Sequence, residues 1–331
     1  MKKVSLKVIA KELGVSAATV SLVLNGKNKN GRVSKEMSEK IVEKAAELNY
    51  IPNSLAKGLK MGHSKSIGLI VADISNVFFG TLALHIQNYA EKEGYTVIIG
   101  NTNEKLEEME KMILFLNSRQ VDGLIITPAE GSEVLIESIL EGKKPLVLVD
   151  RGFPELNVPS VLINNYEVCY RSTKQLMDQG YKNPAFITYK QDQFHTNERK
   201  RGFIEAMKDA GLSDPDHVKG VSYQCLEEDM DKAISQLLEC EKKVDAIFFA
   251  TNTISIAGVK SLLKHGLLIQ KDIQVMCFDE TDAINLFPFR VPFIKQPVEE
   301  MARKALELLI GQIENKDVKI HKLFLEAELI T

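Results

Sequence analysis

LKVIAKELGVSAATVSLVLN, Leu6 to Asn25, is the stretch from which the rest of the chain takes its meaning. Its spacing predicts two short helices joined at Gly14. Val8, Ile9 and Leu13 fall near one face of the first, and Ala10 is small enough for a second helix to pack close. Gly14 supplies the positive φ that a sharp turn between helices requires. Ser16 stands where an N-cap belongs, its hydroxyl accepting from backbone N–H groups at the start of the next helix. Val15, Val20 and Val23 then face inward, which leaves Ala17, Ala18, Ser21, Leu22 and Asn25 on the other face. An ordinary helical hairpin would read the same way in isolation. The pattern is also that of a helix-turn-helix, whose second helix enters the DNA major groove.

The charge distribution favours the second reading. The chain of 331 residues has a net charge of −3, but residues 1–63 hold twelve Lys/Arg against five Asp/Glu, and the remainder holds thirty against forty. A basic head on an acidic body places a polyanion at the head only. Ser34 is expected to cap a third helix, with Met37, Ile41, Val42, Ala45 and Leu48 at helical spacing. Between Asn25 and Ser34 the run GKNKNGR reads as a mobile loop. Pro52 then breaks the helical pattern, and Asn53 stands ready to cap a helix of two turns, Ser54 to Lys60. So short a helix is unstable alone in water and forms only against a partner.

From Ser66 onward strands and helices alternate. SIGLIVAD, VDGLIITPA and PLVLVD are near-continuous apolar runs, as in parallel strands covered on both faces. The rhythm restarts after Asn164, with an expected helix at Arg199–Ala210 and strands at Gly220–Tyr223, Val291–Gln296 and Lys319–Leu325. Two such sets predict two parallel-sheet lobes with a ligand cleft between their strand ends. The fold class is an all-α helix-turn-helix head plus an α/β core of two parallel-sheet lobes. The expected divisions are a head at 1–49 and a hinge at 50–62. A first lobe would hold 63–162 plus 293–321, and a second 163–292 plus 322–331.

Several function classes lack their signals. After the first strand comes ISNVFFG rather than a glycine-rich dinucleotide turn, and no GxxxxGK[ST], GxSxG, HExxH or CxxC occurs. The six histidines are scattered, so neither a metal nor any other cofactor is called for, and no enzyme activity is expected. Cys169, Cys225, Cys240 and Cys277 show no paired spacing and read as buried small hydrophobes in a reducing cytoplasm. The N-terminus has no signal-peptide core and no apolar run is long enough for a bilayer, so a cytoplasmic, nucleoid-associated protein with no membrane partner is expected.

Nine segments in order resemble the lactose-repressor family of bacterial transcription regulators across essentially the whole chain. Besides Leu6–Gly26 with Arg32–Ser34, they are NYIPNSLAKGL, IGLIVADISNVFF, VDGLIITPA, VLVDRG, ERKRGF, FFATN, CFDE and KQPVEEMARKAL. The resemblance implies a homodimer that binds an inverted-repeat operator in double-stranded DNA. It implies a core like periplasmic sugar-binding proteins, with a small effector between the lobes, a sugar or sugar derivative favoured. A protein corepressor or a purine is the alternative, and a carbohydrate-active enzyme with a fused head is a more distant one.

Carried over position by position, the DNA contacts fall on Ser16, Ala17, Ala18, Thr19, Ser21, Leu22 and Asn25, and on Asn53, Ala56 and Leu59 of the hinge. Leu59 matches the leucine that wedges into the minor groove. Leu22 departs from an arginine common in the family, and Ala17 and Ala18 offer only apolar contact, for instance to thymine methyls. Lys57-Gly58 replaces a usual Arg-Ser, which weakens the hinge helix. The effector contacts fall on Asn76, Phe78, Phe79, Thr127, Asp150, Arg199, Tyr223, Asn252, Asp279 and Gln296. The two phenylalanines suit apolar sugar or purine faces. Arg199, opening the helix of ERKRGF, has a planar fork that grips hydroxyls, a carboxylate or a phosphate. Asn252-Thr253 departs from the usual Asn-Asp.

Overall fold

The computed structural model describes residues 4–26, 28, 31–50, 63–316 and 322–331. It divides into two units, residues 1–64 and 65–331. In the first unit, α1 (Leu6–Leu13), α2 (Ala17–Leu24) and α3 (Lys35–Glu47) close on a small core of Ile9, Ala10, Val20, Ile41 and Ala45. Gly14 caps α1 with φ 65°, a left-handed conformation in which Cβ would be unfavourable. Ser16 and Ser34 accept from the backbone N–H of Thr19 and Met37, as N-caps should. Two expected core residues sit outside it: Val8 is 40% and Val42 is 54% exposed. The inward positions are taken by Ile9 and Ala10 in α1 and by Ile41 and Ala45 in α3.

The second unit holds two six-stranded sheets. The first runs β11-β5-β4-β3-β1-β2 and is wholly parallel, from β1 (Ser66–Val71), β2 (Thr96–Asn101), β3 (Gly123–Ile126), β4 (Leu146–Val149), β5 (Ser160–Ile163) and β11 (Lys322–Leu325). The second runs β12-β10-β9-β8-β6-β7. It comprises β6 (Pro184–Tyr189), β7 (Val218–Val221), β8 (Ala246–Phe249), β9 (Gln274–Phe278), β10 (Phe293–Lys295) and β12 (Glu328–Ile330), with β12 antiparallel to β10. GLII, LVLV, AIFF and QVMCF are buried at every position, because helices cover both faces of each sheet.

The helices of the first lobe are α4 (Val77–Lys92), α5 (Leu106–Ser118), α6 (Glu133–Glu141) and, from late in the chain, α12 (Val298–Ile313). The second lobe carries α7 (Asn165–Asp178), α8 (Phe194–Asp209), α9 (Leu226–Leu238), α10 (Asn252–Lys264) and the short α11 (Asp282–Asn285). The most extensive helix–helix contact is that of α7 with α8. Gly202 permits it: a Cβ there would stand 2.4 Å from the Tyr166 carbonyl oxygen.

The lobe boundaries differ from expectation. Phe293 and Ile294 pair with Cys277 and Phe278, so this strand belongs to the second sheet, not the first. Lys322–Leu325 pairs with Ser160–Ile163, so it belongs to the first lobe, and only Glu328–Ile330 returns to the second. The chain crosses over at Gln296-Pro297, where proline cannot donate to a ladder, and again just before Glu328. Strands of three or four residues carry no sequence mark of the sheet they join. Other limits shift as well. The helix expected at Arg199–Ala210 starts at Phe194, and the strand expected at Gly220–Tyr223 spans Val218–Val221. Cys169 and Cys277 are buried as expected, but Cys225 is exposed and Cys240 half-buried, both near the ends of α9, where no sheet covers them. No helix among the described residues is long and apolar enough to cross a membrane.

Candidate functional site

In the head, the candidate contact side chains occupy the surface of α2 and its start. Ser16 and Thr19 join hydroxyls at 2.8 Å, and Asn25 donates to the Ser21 carbonyl at 2.7 Å and to its hydroxyl at 3.1 Å. Ala18 is exposed and Leu22 half-buried. Ala17 faces partly inward, packed against the head core, so it offers less surface than its sequence position implied. Asn28 was not anticipated. Its amide donates to Val33 O at 2.8 Å and to Ser38 Oγ at 3.2 Å, and its Oδ1 accepts from Val33 N–H. These bonds tie Asn28 to Val33 and to Ser38 of α3. Asn53, Ala56 and Leu59, with the hinge helix itself, lie outside the described residues.

In the second unit the strand ends of the two lobes converge on one cleft. Nine of the ten expected effector residues line it: Asn76, Phe78, Phe79, Asp150, Arg199, Tyr223, Asn252, Asp279 and Gln296. Thr127 does not. It is fully buried just past β3, its N–H donating to Ile70 O. Asp150 and Asp279 follow β4 and β9 with φ of 69° and 66°. These left-handed turns, which aspartate tolerates better than most residues, swing each carboxylate from the strand end into the cleft.

Arg199 sits in the second turn of α8 rather than opening it, 2% exposed. Its Nε donates to Asn165 Oδ1 at 2.7 Å and its Nη1 to Ala250 O at 2.8 Å, while the guanidinium lies 3.5 Å over the Phe278 ring. Burial lowers its pKa, with Asp150 and Asp279 opposing. Burial raises Asp150, and it pushes Asp279 up to about 6 although Arg199 and Gln296 favour the charged form. Burial, reinforced by Arg151 and Arg199, holds His195 well below the usual imidazole range, so it is neutral at pH 7. Phe78 and Phe79 meet edge to face at 5.0 Å.

The lobes are drawn together across the cleft. The amides of Asn76 and Asn252 exchange hydrogen bonds of 2.7 and 3.0 Å, and Tyr223 donates to Asp73 Oδ2 at 2.7 Å. The free space that remains is about 50 Å³, room for one or two waters. Buried polar atoms without a hydrogen-bond partner nevertheless line it: Gln193 Nε2, His195 Nδ1 and Gln296 Oε1, with Arg151 Nε facing only the Asp150 carboxylate at 3.5 Å. Such orphans are uncommon and call for a polar occupant. A larger groove of about 790 Å³ runs beside α4 and α12, but Tyr89, Glu299 and Arg303 on its walls already pair with one another or with neighbours.

Asp73, Glu104, Arg151, Tyr189, Gln193 and His195 also line the cleft and were missed. Arg151 directly follows Asp150 in VLVDRG, and Gln193 and His195 lie in a polar run before ERKRGF, signals that adjacency alone could have raised. Glu104 carries no such signal; a turn after β2 brings it in.

The sequence matches a family described as "Bacterial regulatory proteins, lacI family" over residues 5–53. It matches "Periplasmic binding proteins and sugar binding domain of LacI family" over residues 64–328. The chain belongs to the LacI family. Among its LacI-family relatives, the "Ribose operon repressor" of Halalkalibacterium halodurans is 31% identical over 97% of this chain and 94% of that protein. The "HTH-type transcriptional repressor PurR" of Aliivibrio fischeri is 29% identical over 99% and 97%. The solved "transcriptional regulator CelR-cellobiose complex" superposes with a TM-score of 0.73 at 25% identity, covering 99% of this chain and 98% of that one. These relatives are transcriptional regulators, so the helix-turn-helix reading of Leu6–Asn25 and the two-lobed reading of the core both stand.

Proposed function

We propose that this LacI-family regulator binds an inverted-repeat operator as a homodimer and responds to a sugar-like effector held between its lobes. The observation that carries the reading is the cleft. Two phenylalanines in edge-to-face contact, the buried Asp150 and half-buried Asp279 carboxylates, and amide atoms without hydrogen-bond partners converge at the strand ends of both lobes. Rings offer a face to the apolar side of a sugar, and carboxylates and amides take its hydroxyls. The ribose-repressor relatives and the cellobiose complex of a similar regulator support a sugar. An effector enters once the Asn76–Asn252 and Tyr223–Asp73 bonds part, then favours one lobe orientation by its differential affinity for the two. That orientation governs whether paired hinges, with Leu59 as wedge and Asn53 and Ala56 facing the groove, order on the operator. Contacts from Ser16, Thr19, Ser21 and Asn25 position the head, while Ala18 and Leu22 meet bases apolarly.

The test has two arms. The full chain is screened by thermal shift against uncharged sugars and purine bases, and DNA is selected from a random pool with and without each hit. Sugar stabilisation that changes affinity for a palindromic site is expected. Stabilisation by a purine alone would replace the effector class, and turnover of any hit would turn the reading towards an enzyme.

A further inference from the structure

The cleft holds two guanidinium groups, and both are already engaged. Arg199 is committed to Asn165, Ala250 O and the face of Phe278. Arg151 places Nη1 and Nη2 on the two oxygens of Glu104, each at 2.6 Å. The two side chains are only 10% and 7% exposed. Its Nε faces Asp150 at 3.5 Å. This bidentate fork is the geometry with which arginine otherwise grips a phosphate or carboxylate ligand. Glu104 thus sits where a ligand anion would sit on Arg151. It is held there by a left-handed turn, φ 50° at Asn103 and 60° at Glu104, with its N–H donating to Ala72 O. Glutamate is rarely found in that conformation.

Building on the effector reading of the cleft, we propose that Glu104 sets the ligand class: by occupying Arg151 it restricts the site to uncharged polyhydroxyl molecules and excludes phosphorylated or carboxylated ones. Charge accounting agrees. Asp73, Glu104, Asp150 and Asp279 face the cleft against Arg151 and Arg199, so no cation is left over for an incoming anion. The orphaned atoms agree independently. Gln193 Nε2 is a donor, but Gln296 Oε1 is an acceptor, its orientation set because its Nε2 donates to Asp279 Oδ1 at 2.7 Å. An unprotonated phosphate or carboxylate oxygen only accepts and would leave Gln296 Oε1 unpaired, whereas a hydroxyl both donates and accepts.

The experiment titrates the full chain with inorganic phosphate, ribose 5-phosphate and D-ribose at constant ionic strength, by calorimetry and thermal shift. Wild type is expected to ignore both phosphates. Glu104→Gln should gain binding of inorganic phosphate by roughly a hundredfold, the effect of removing a negative charge about 6 Å away at an effective dielectric near 20. The double variant Glu104→Gln, Arg151→Gln should lose that gain, which places the anion on Arg151 and not on surface lysines. Because Glu104→Gln deprives a buried guanidinium of its bidentate carboxylate, its folding is followed by circular dichroism; rescue of a cooperative transition by phosphate counts as the gain, and failure of rescue counts against it. A folded single variant that gains nothing overturns the proposal, as does a wild type that binds either phosphate at least as tightly as the uncharged sugar. If no uncharged sugar binds wild type while Glu104→Gln gains phosphate, the sugar reading falls and the role of Glu104 stands.

Discussion

Asp279→Asn should stabilise the protein at neutral pH while removing a group the cleft needs. The half-buried carboxyl follows β9, and loss of hydration, the leading cause, pushes its pKa from 3.8 up to about 6. The folded state therefore binds a proton more tightly than the unfolded state does. Stability contributed by this group is highest below about pH 4 and is lost as pH rises through about 6. The gap between 3.8 and 6 corresponds to about 3 kcal/mol carried as a penalty at pH 7.5. Asparagine mimics the protonated form: its Oδ1 still accepts from Gln296 Nε2, and it carries no charge. Urea unfolding of the full chain, followed by far-UV circular dichroism across pH 4 to 8, measures the difference between variant and wild type. The variant should exceed wild type by about 2–3 kcal/mol near pH 7.5, and the two should converge near pH 4. A constant gap, or a less stable variant at pH 7.5, would refute the argument. It would mean that the attraction of Arg199 outweighs burial. Sugar binding should weaken in the same variant, because a charged acceptor makes a stronger hydrogen bond to hydroxyl than an amide does.

Further outcomes follow from single contacts. Ser16→Ala removes the hydroxyl that accepts from Thr19 N–H at 3.0 Å, and should lower the stability of the head by about 1 kcal/mol; a head transition moved by no more than a few tenths would mean the cap is dispensable. Gly202→Ala forces a Cβ to 2.4 Å from Tyr166 O and 2.9 Å from Tyr170 N, both backbone atoms. It should destabilise the second lobe by about 1–3 kcal/mol through separation of α7 and α8, measured by urea unfolding and contradicted by a wild-type midpoint. Asn76→Ala with Tyr223→Phe removes the amide pair and the bond to Asp73, and small-angle scattering should record a larger radius of gyration. An unchanged radius would show that other contacts hold the lobes together.

Much of the architecture is legible in local pattern. Gly14, Ser16 and Ser34 announce helix boundaries through their own backbone chemistry, and the structure places them at those boundaries. The apolar runs at Ile67, Leu124, Leu146, Ala246 and Val275 mark strands covered on both faces. Nine of the ten cleft residues that the family resemblance implied line the cleft, in keeping with ligand groups gathered at the ends of parallel strands. Thr127 shows the limit of that rule: a position one residue past a strand can turn inward and be fully buried.

What Leu6–Asn25 determines by itself is a compact head with a capped second helix, since turn and cap chemistry act within four residues. It does not determine how much of Ala17 the core covers, which depends on a helix lying elsewhere in the chain. In the same way, the resemblance of its segments to a known family names Asp150, Arg199 and Asp279 as cleft candidates. Only the tertiary structure decided that Phe293–Lys295 joins the second sheet, that Asn76 meets Asn252 across 176 positions, and that Glu104 closes on Arg151. Those pairings are set by sheet order and lobe closure, long-range geometry to which no local period of 2.0 or 3.6 residues responds.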